Sequence, residues 1–150
     1  MIKYRLASAD DIDLLMKIRL EMLRAVNNLS QDYEFGKTLT ENSREYFLNG
    51  NQTTVLALEK DVIIGCASIC YIDIMPTYSH PTGKRAHLMN VYTNVGYRRQ
   101  GIATTMLKML VDESKEKGVT EISLDATDSG RHLYKKFGFT ESDECMVLTF

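Results

Sequence analysis

The stretch Val91-Tyr92-Thr93-Asn94-Val95-Gly96-Tyr97-Arg98-Arg99-Gln100-Gly101-Ile102-Ala103 decides how the rest of the chain is read. Before it, Leu88, Met89, Val91, Tyr92 and Thr93 form an apolar, β-prone run. After it, Ile102, Ala103, Met106, Leu107, Met109 and Leu110 recur at helical spacing. The pattern predicts a strand, a tight turn and a helix that opens at Gln100 or Gly101. The first N–H groups of such a helix have no intrahelical partner and form the positive end of its dipole. Gly101 has no Cβ and Ala103 almost none, so a phosphate can approach several of these amides at once. Arg98 and Arg99 have the wrong sign for a helix start unless an anion is expected there. As an ordinary solvated turn the same residues need no ligand. A kinase or ATPase is disfavoured, because no Gly-Lys-Ser or Gly-Lys-Thr follows the turn, and the glycine run of a dinucleotide site is missing.

The chain has 150 residues, enough for one domain with a substantial core (residues 1–150) and too few for a second. Lys plus Arg number 18 against 20 Asp plus Glu, a balance that gives no reason to expect a nucleic-acid partner. No apolar run approaches the roughly 20 residues of a membrane span, and the N-terminus lacks the apolar core of a signal peptide. A soluble, cytoplasmic protein without a membrane partner is expected, and a homodimer is compatible with this composition. The cysteines, Cys66, Cys70 and Cys145, are odd in number and fit a reducing compartment. On one extended strand Cys66 and Cys70 would lie about 13 Å apart, too far for a disulfide. His80, His87 and His132 are scattered and there is no Cys-x-x-Cys pair, so no metal site is expected.

Ile2, Tyr4 and Leu6 alternate as a first strand, and Ser8 with Asp11 resembles a helix start. A helix from about Ala9 to Val26 carries Ile12, Leu15, Met16, Met22, Leu23 and Val26 on one face. Thr40 is the expected N-cap of a second helix that Gly50 closes. Thr53–Glu59 and Val62–Ile74 read as a hairpin turning at Lys60 and Asp61. The prolines and Gly83 break the strand between Met75 and Lys84, and Arg85–Asn94 is the central strand. A third helix runs to Lys117, and Val119–Leu124 returns parallel to the central strand through a right-handed crossover. Leu133 and Phe137 then share the face of a short helix that Gly138 ends, with Phe139 starting another strand.

Two stretches together resemble the GNAT superfamily of acyl-CoA-dependent N-acetyltransferases. In that family Arg/Gln-x-x-Gly-x-Gly/Ala follows a central strand, matched here by Arg98, Gly101 and Ala103 after Val91, Tyr92 and Thr93. The second motif, Asn-x-x-Ala-x-x-Leu-Tyr-x-Lys-x-Gly-Phe, is matched by Leu133, Tyr134, Lys136, Gly138 and Phe139. Thr127 stands at the usual Asn, Gly130 at the usual Ala, and Val95 at a common Pro. The resemblance implies an α/β fold built on a mixed sheet of about six to seven strands, with a splayed central strand and flanking helices.

It also implies acetyl-CoA as cosubstrate. Val91, Tyr92 and Thr93 would pair with its pantetheine arm as an added strand. The amides of Arg98, Arg99, Gln100, Gly101, Ile102, Ala103 and Thr104 would hold its pyrophosphate, and the Thr127 hydroxyl would stand in for the family's Asn. The acceptor, an amine, would lie among the first two helices and the loop at residues 75–84 and attack the acetyl carbonyl directly. Tyr134, which on spacing alone is a packing aromatic, would protonate the departing thiolate as in the family. Many relatives place a base, Glu, where this chain has His87; an imidazole, titrating near ~6.5, is suited to that task. In a regular strand His87 shares a face with Met89, Val91 and Thr93. Asp125 is the next candidate base. The expected function is acetyl transfer to a small molecule or short peptide. The alternatives are a protein N-terminal α-amine acetyltransferase of the same fold and a non-catalytic acyl-CoA-binding regulatory module.

Overall fold

A computed structural model describes all residues, 1–150. Its strands are β1 (Ile2–Leu6), β2 (Gln52–Glu59), β3 (Val62–Asp73), β4 (Lys84–Thr93) and β5 (Glu121–Leu124). Its helices are α1 (Ile12–Val26), α2 (Lys37–Asn49), α3 (Ile102–Glu116) and α4 (Asp128–Phe137). The sheet runs in the order β1-β2-β3-β4-β5, antiparallel up to β4 and parallel between β4 and β5, as the crossover through α3 requires. Alternation along β2 and β3 sends side chains to two cores. Val55, Ala57, Ala67 and Ile69 meet Ile102, Met106, Leu107 and Leu110 of α3, while Leu56, Leu58 and Cys66 meet Leu15 of α1. The four α3 residues are at most 2% exposed, so each contributes about 1.5–3 kcal/mol of burial and fixes the helix against the sheet.

The hairpin turn falls at Lys60 and Asp61, both with positive φ (49° and 65°), as a tight turn matched to strand twist demands. Three expectations are corrected. Gly36, not Thr40, caps α2; Thr40 lies one turn inside it, where its hydroxyl donates back to the Gly36 carbonyl at 3.2 Å. The sheet has five strands rather than six or seven, so β4 is next to its edge and no strand begins at Phe139. Glu141 is drawn instead to Arg131 and Lys135 of α4, at 2.7 and 3.6 Å. That holds the start of the tail against a helix and leaves Met146, Val147, Leu148 and Phe150 exposed.

The third correction concerns the face of β4. Ser68 pairs with Met89 and Cys66 with Tyr92, so Asn90 and Val91 together stand opposite Ala67. This is a β-bulge, and Asn90 takes its positive φ of 59°. The bulge reverses the alternation. Val91 packs on the α3 side with Ala86 and Leu88, and Tyr92 packs on the α1 side with Cys66. His87 is the cross-strand partner of Cys70 on the α1 side and does not share a face with Val91.

Candidate active site

Beyond Leu88, β4 leaves its neighbour. The parallel ladder runs from Arg85–Glu121 to Leu88–Leu124 and stops, whereas β4 continues to Thr93, paired only with β3. The backbone of Met89 to Thr93 therefore has one open edge, the template an extended ligand needs. α3 and α4 begin after the C-terminal ends of β4 and β5, the end where α/β sheets bind ligands.

The turn between β4 and α3 is built for an anion. Gly101 adopts φ 78° at the helix N-cap and Arg99 φ 63° before it. The Arg98 Nε donates to the Thr93 carbonyl at 3.2 Å and ties the turn to the strand. Thr105 N–H is the first of α3 to find an acceptor, the Gly101 carbonyl at 3.0 Å, and the amides of Arg99, Gln100, Gly101, Ile102, Ala103 and Thr104 have none within the protein. A Cβ built on Gly101 meets nothing within 4 Å, so the space in front of these amides is open. A phosphate fits both the geometry and the sign. Thr127 caps α4, its hydroxyl accepting from the Gly130 N–H at 3.3 Å; one lone pair is thus already engaged.

Tyr134 is half-buried on α4, its ring edge-on to Phe139 with centroids 6.0 Å apart. The anchor is Phe139 rather than the nearer-in-sequence Phe137. Its hydroxyl has no partner within the protein and is not shut away from solvent, and burial of the ring raises its pKa above the usual value of 10. It is a neutral phenol with a free proton. His87 sits one residue before the ladder ends. Its Nδ1 is 2.7 Å from Ser123 Oγ and its Nε2 is 3.5 Å from Asp125 Oδ2, so the two carboxylate-or-imidazole candidates form one pair at the apex where the strands part. Cys66 is inert, its thiol pushed by burial up to about 12.

On the α1 side of the sheet a cavity of about 720 Å³ lies between α1, α2 and the middle of β3 and β4. Leu39, Phe47 and Met89 supply apolar wall; Arg19, Ser68 and Asn90 supply polar groups. Its size suits a small molecule. The loop at residues 75–84 gives it no wall. That loop is pinned instead beside the start of β5, through His80 Nδ1 to Thr120 Oγ1 at 2.7 Å and through Thr82 to the Gly118 carbonyl at 2.8 Å. The structure thus brings together the turn amides, the open β4 edge and the His87–Asp125 pair along one strand, and sets that loop apart. Arg19, Ser68 and Asn90 escaped the sequence reading. Arg19 was legible, because it falls between Leu15/Met16 and Met22/Leu23 on the apolar stripe of α1, where a cation is out of place.

The comparisons agree with this geometry. The family model described as the acetyltransferase (GNAT) family matches residues 20–139. A solved structure of a predicted acetyltransferase with acetyl-CoA from Clostridium acetobutylicum is 38% identical, with a TM-score of 0.87 over 99% of this chain and 96% of that one. A GCN5-related N-acetyltransferase from Ralstonia eutropha JMP134 shares the fold at 23% identity and a TM-score of 0.81, over 99% of each chain. A probable glucosamine 6-phosphate N-acetyltransferase of Oryza sativa subsp. japonica is 32% identical over 68 residues, 45% of this chain and 41% of its own length. The glucosamine 6-phosphate N-acetyltransferase of Trypanosoma brucei brucei is 27% identical over 86 residues, 57% of this chain and 56% of its own. The chain thus spans about half the length of the curated relatives it matches. With a family model over most of the chain and the parted strands and amide-lined turn in place, the chain belongs to the acetyltransferase (GNAT) family.

Proposed function

We propose that the protein moves an acetyl group from acetyl-CoA to the amine of a small molecule or short peptide, with both substrates bound together. The observation that carries this reading is the early end of the β4–β5 ladder at Leu88–Leu124, which frees one edge of β4 next to unpaired amides. Acetyl-CoA supplies an activated acyl group, and the chain's own residues do the rest. The open edge of Val91, Tyr92 and Thr93 aligns the pantetheine arm. The amides of Arg99 to Thr104, with the charge of Arg98 and Arg99, hold the pyrophosphate. The Thr127 hydroxyl, which accepts from the Gly130 N–H and shares a bond with Ser129 Oγ, has one hydrogen-bonding site left for the cofactor. The cavity under α2 presents the amine; its nitrogen bonds to the acetyl carbon as the carbon–sulfur bond breaks. Tyr134 gives its proton to the sulfur, and the His87–Asp125 pair takes the proton that the amine loses, directly or through water. Enclosure by α2 favours a small acceptor over an extended protein N-terminus, which needs an open groove.

Two measurements test this. Calorimetry should show acetyl-CoA binding in the wild type and none in Gly101→Glu, because the new side chain projects into the open space before the amides and repels phosphate; undiminished affinity would remove the cradle assignment. CoA release against a panel of amines should then find an acceptor, and silence across small amines and short peptides alongside turnover of intact proteins with free N-termini would favour the protein-acetylating alternative.

A further inference from the structure

Arg19 is the one cation among the residues lining the acceptor cavity, and no carboxylate lines it. The guanidinium forms no ion pair with the protein, and its burial lowers its pKa. Such a group costs stability where it stands unless something else is gained by it. It is also held in place. Arg19 Nη1 donates to Asn90 Oδ1 at 3.4 Å, and Asn90 Nδ2 donates to Ser68 Oγ at 3.1 Å. Ser68 and Thr54 share a bond of 2.7 Å, Thr54 donates to Gln52 Oε1 at 2.7 Å, and Gln52 Nε2 donates to the Phe47 carbonyl at 3.0 Å. Every donor in this chain points away from Arg19 and towards α2, so the chain has one sense only and turns the Asn90 oxygen to the guanidinium. The cation is presented by a preset series of side chains crossing β2, β3 and β4. Asn90 can reach it because the bulge places it on the cavity side.

An acceptor amine enters mostly as an ammonium ion. A cavity with an unpaired arginine and no acid repels a simple ammonium, and the repulsion is strong where water is scarce. A molecule that carries an anion as well as its amine meets no such barrier, and a planar guanidinium matches a carboxylate or phosphate with two parallel bonds. We propose that the acceptor is an amine bearing its own carboxylate or phosphate, and that Arg19 is the residue that binds that group. This rests on the N-acetyltransferase reading and narrows it to a substrate class.

The test measures CoA release at saturating acetyl-CoA on matched pairs: an amino acid against its amide, and an amino-sugar phosphate against the unphosphorylated amino sugar. One charged member should exceed its uncharged counterpart by roughly 10- to 100-fold in kcat/KM, the size expected of charge-assisted bonds. The pair that shows the difference identifies the anion as carboxylate or phosphate. Arg19→Gln should erase the preference chiefly through KM, and Arg19→Lys should restore part of it. Equal rates within both pairs, or a preference that survives Arg19→Gln, overturn the proposal. If no amine is turned over, acetyl transfer is the reading that fails, and the cavity is judged separately. With excess CoA occupying the turn, the Arg19 Nε–Hε signal is followed by NMR while inorganic phosphate or acetate is added. A saturable shift supports the anion site, and an unmoved signal overturns it.

Discussion

Tyr134 separates packing from chemistry within one side chain. Its ring is anchored on Phe139 while its hydroxyl stays unbonded, and burial keeps the phenol protonated beyond its usual range. Tyr134→Phe retains the ring and removes the proton. Turnover should fall by roughly 10²- to 10⁴-fold with acetyl-CoA affinity unchanged. The low end of that range is expected, since water can replace the acid; unchanged turnover would make Tyr134 a packing residue alone. His87 is tested through its pH profile: the acidic limb of kcat/KM seen in the wild type should move in His87→Gln, with activity reduced. Identical profiles would take the base role away from the His87–Asp125 pair. Both residues were legible in the sequence only through the resemblance, because a tyrosine beside apolar neighbours and a histidine in a strand have ordinary structural uses. Asp125, named as an alternative base, turns out to be the partner of His87, and nothing in the sequence shows that the end of one strand meets the side chain of another.

At the scale of elements, β1 is fastened to α1 by one carboxylate. Asp11 accepts from both Nη1 and Nη2 of Arg5 at 2.8 Å each and from the Ser8 N–H at 2.8 Å. The Arg5 bonds, and then the Ser8 N–H, hold its pKa down at about 2. A carboxylate whose folded pKa lies below its unfolded value contributes stability that is complete above about pH 4 and lost as pH falls towards 2. Asp11→Asn should therefore lower stability at pH 7 by about 1.5–3 kcal/mol, nearer the lower figure because Arg5 is half exposed. Chemical denaturation at a series of pH values should show the gap between variant and wild type closing below pH 4; a gap of constant width would mean that packing, not charge, is lost. The Ser8–Asp11 part of this joint was foreseen, as were the hairpin and α3, because capping, turn and periodic signals are local; the bonds from Arg5 were not. The start of α2 was placed four residues late, at Thr40 instead of Gly36, since Gly36 caps it without a side chain to announce it. The bulge was not foreseen at all: an extra residue in one strand is defined by the register of its partner, which a single strand's pattern does not contain.

For the whole molecule, the main departure from expectation is the tail. Its apolar residues suggest a strand, yet pairing is a property of two segments, and the tail begins with Glu141 bound to α4. Residues 140–150 have no regular backbone pairing and present Met146, Val147, Leu148 and Phe150 to solvent. Brief digestion with a protease of broad specificity should cut there first, as intact-mass measurement would show. First cleavage within residues 75–83 would mean that the tail is the more firmly held of the two. The bulge at Asn90 reaches further than its size. It shifts the phase of β4 by one side chain, so Met89 before it faces the cavity under α2 while Val91 after it packs on the α3 side and Tyr92 on the α1 side. On the proposed function Met89, which lines the cavity, can diverge under selection for a new amine while the cofactor half keeps its spacing. A chimera joined at this residue inherits each half in working phase, and deletion of Asn90 alone would erase the bulge, set Val91 directly against Ala67 with the later side chains on their present faces, and take from Arg19 the oxygen that holds it.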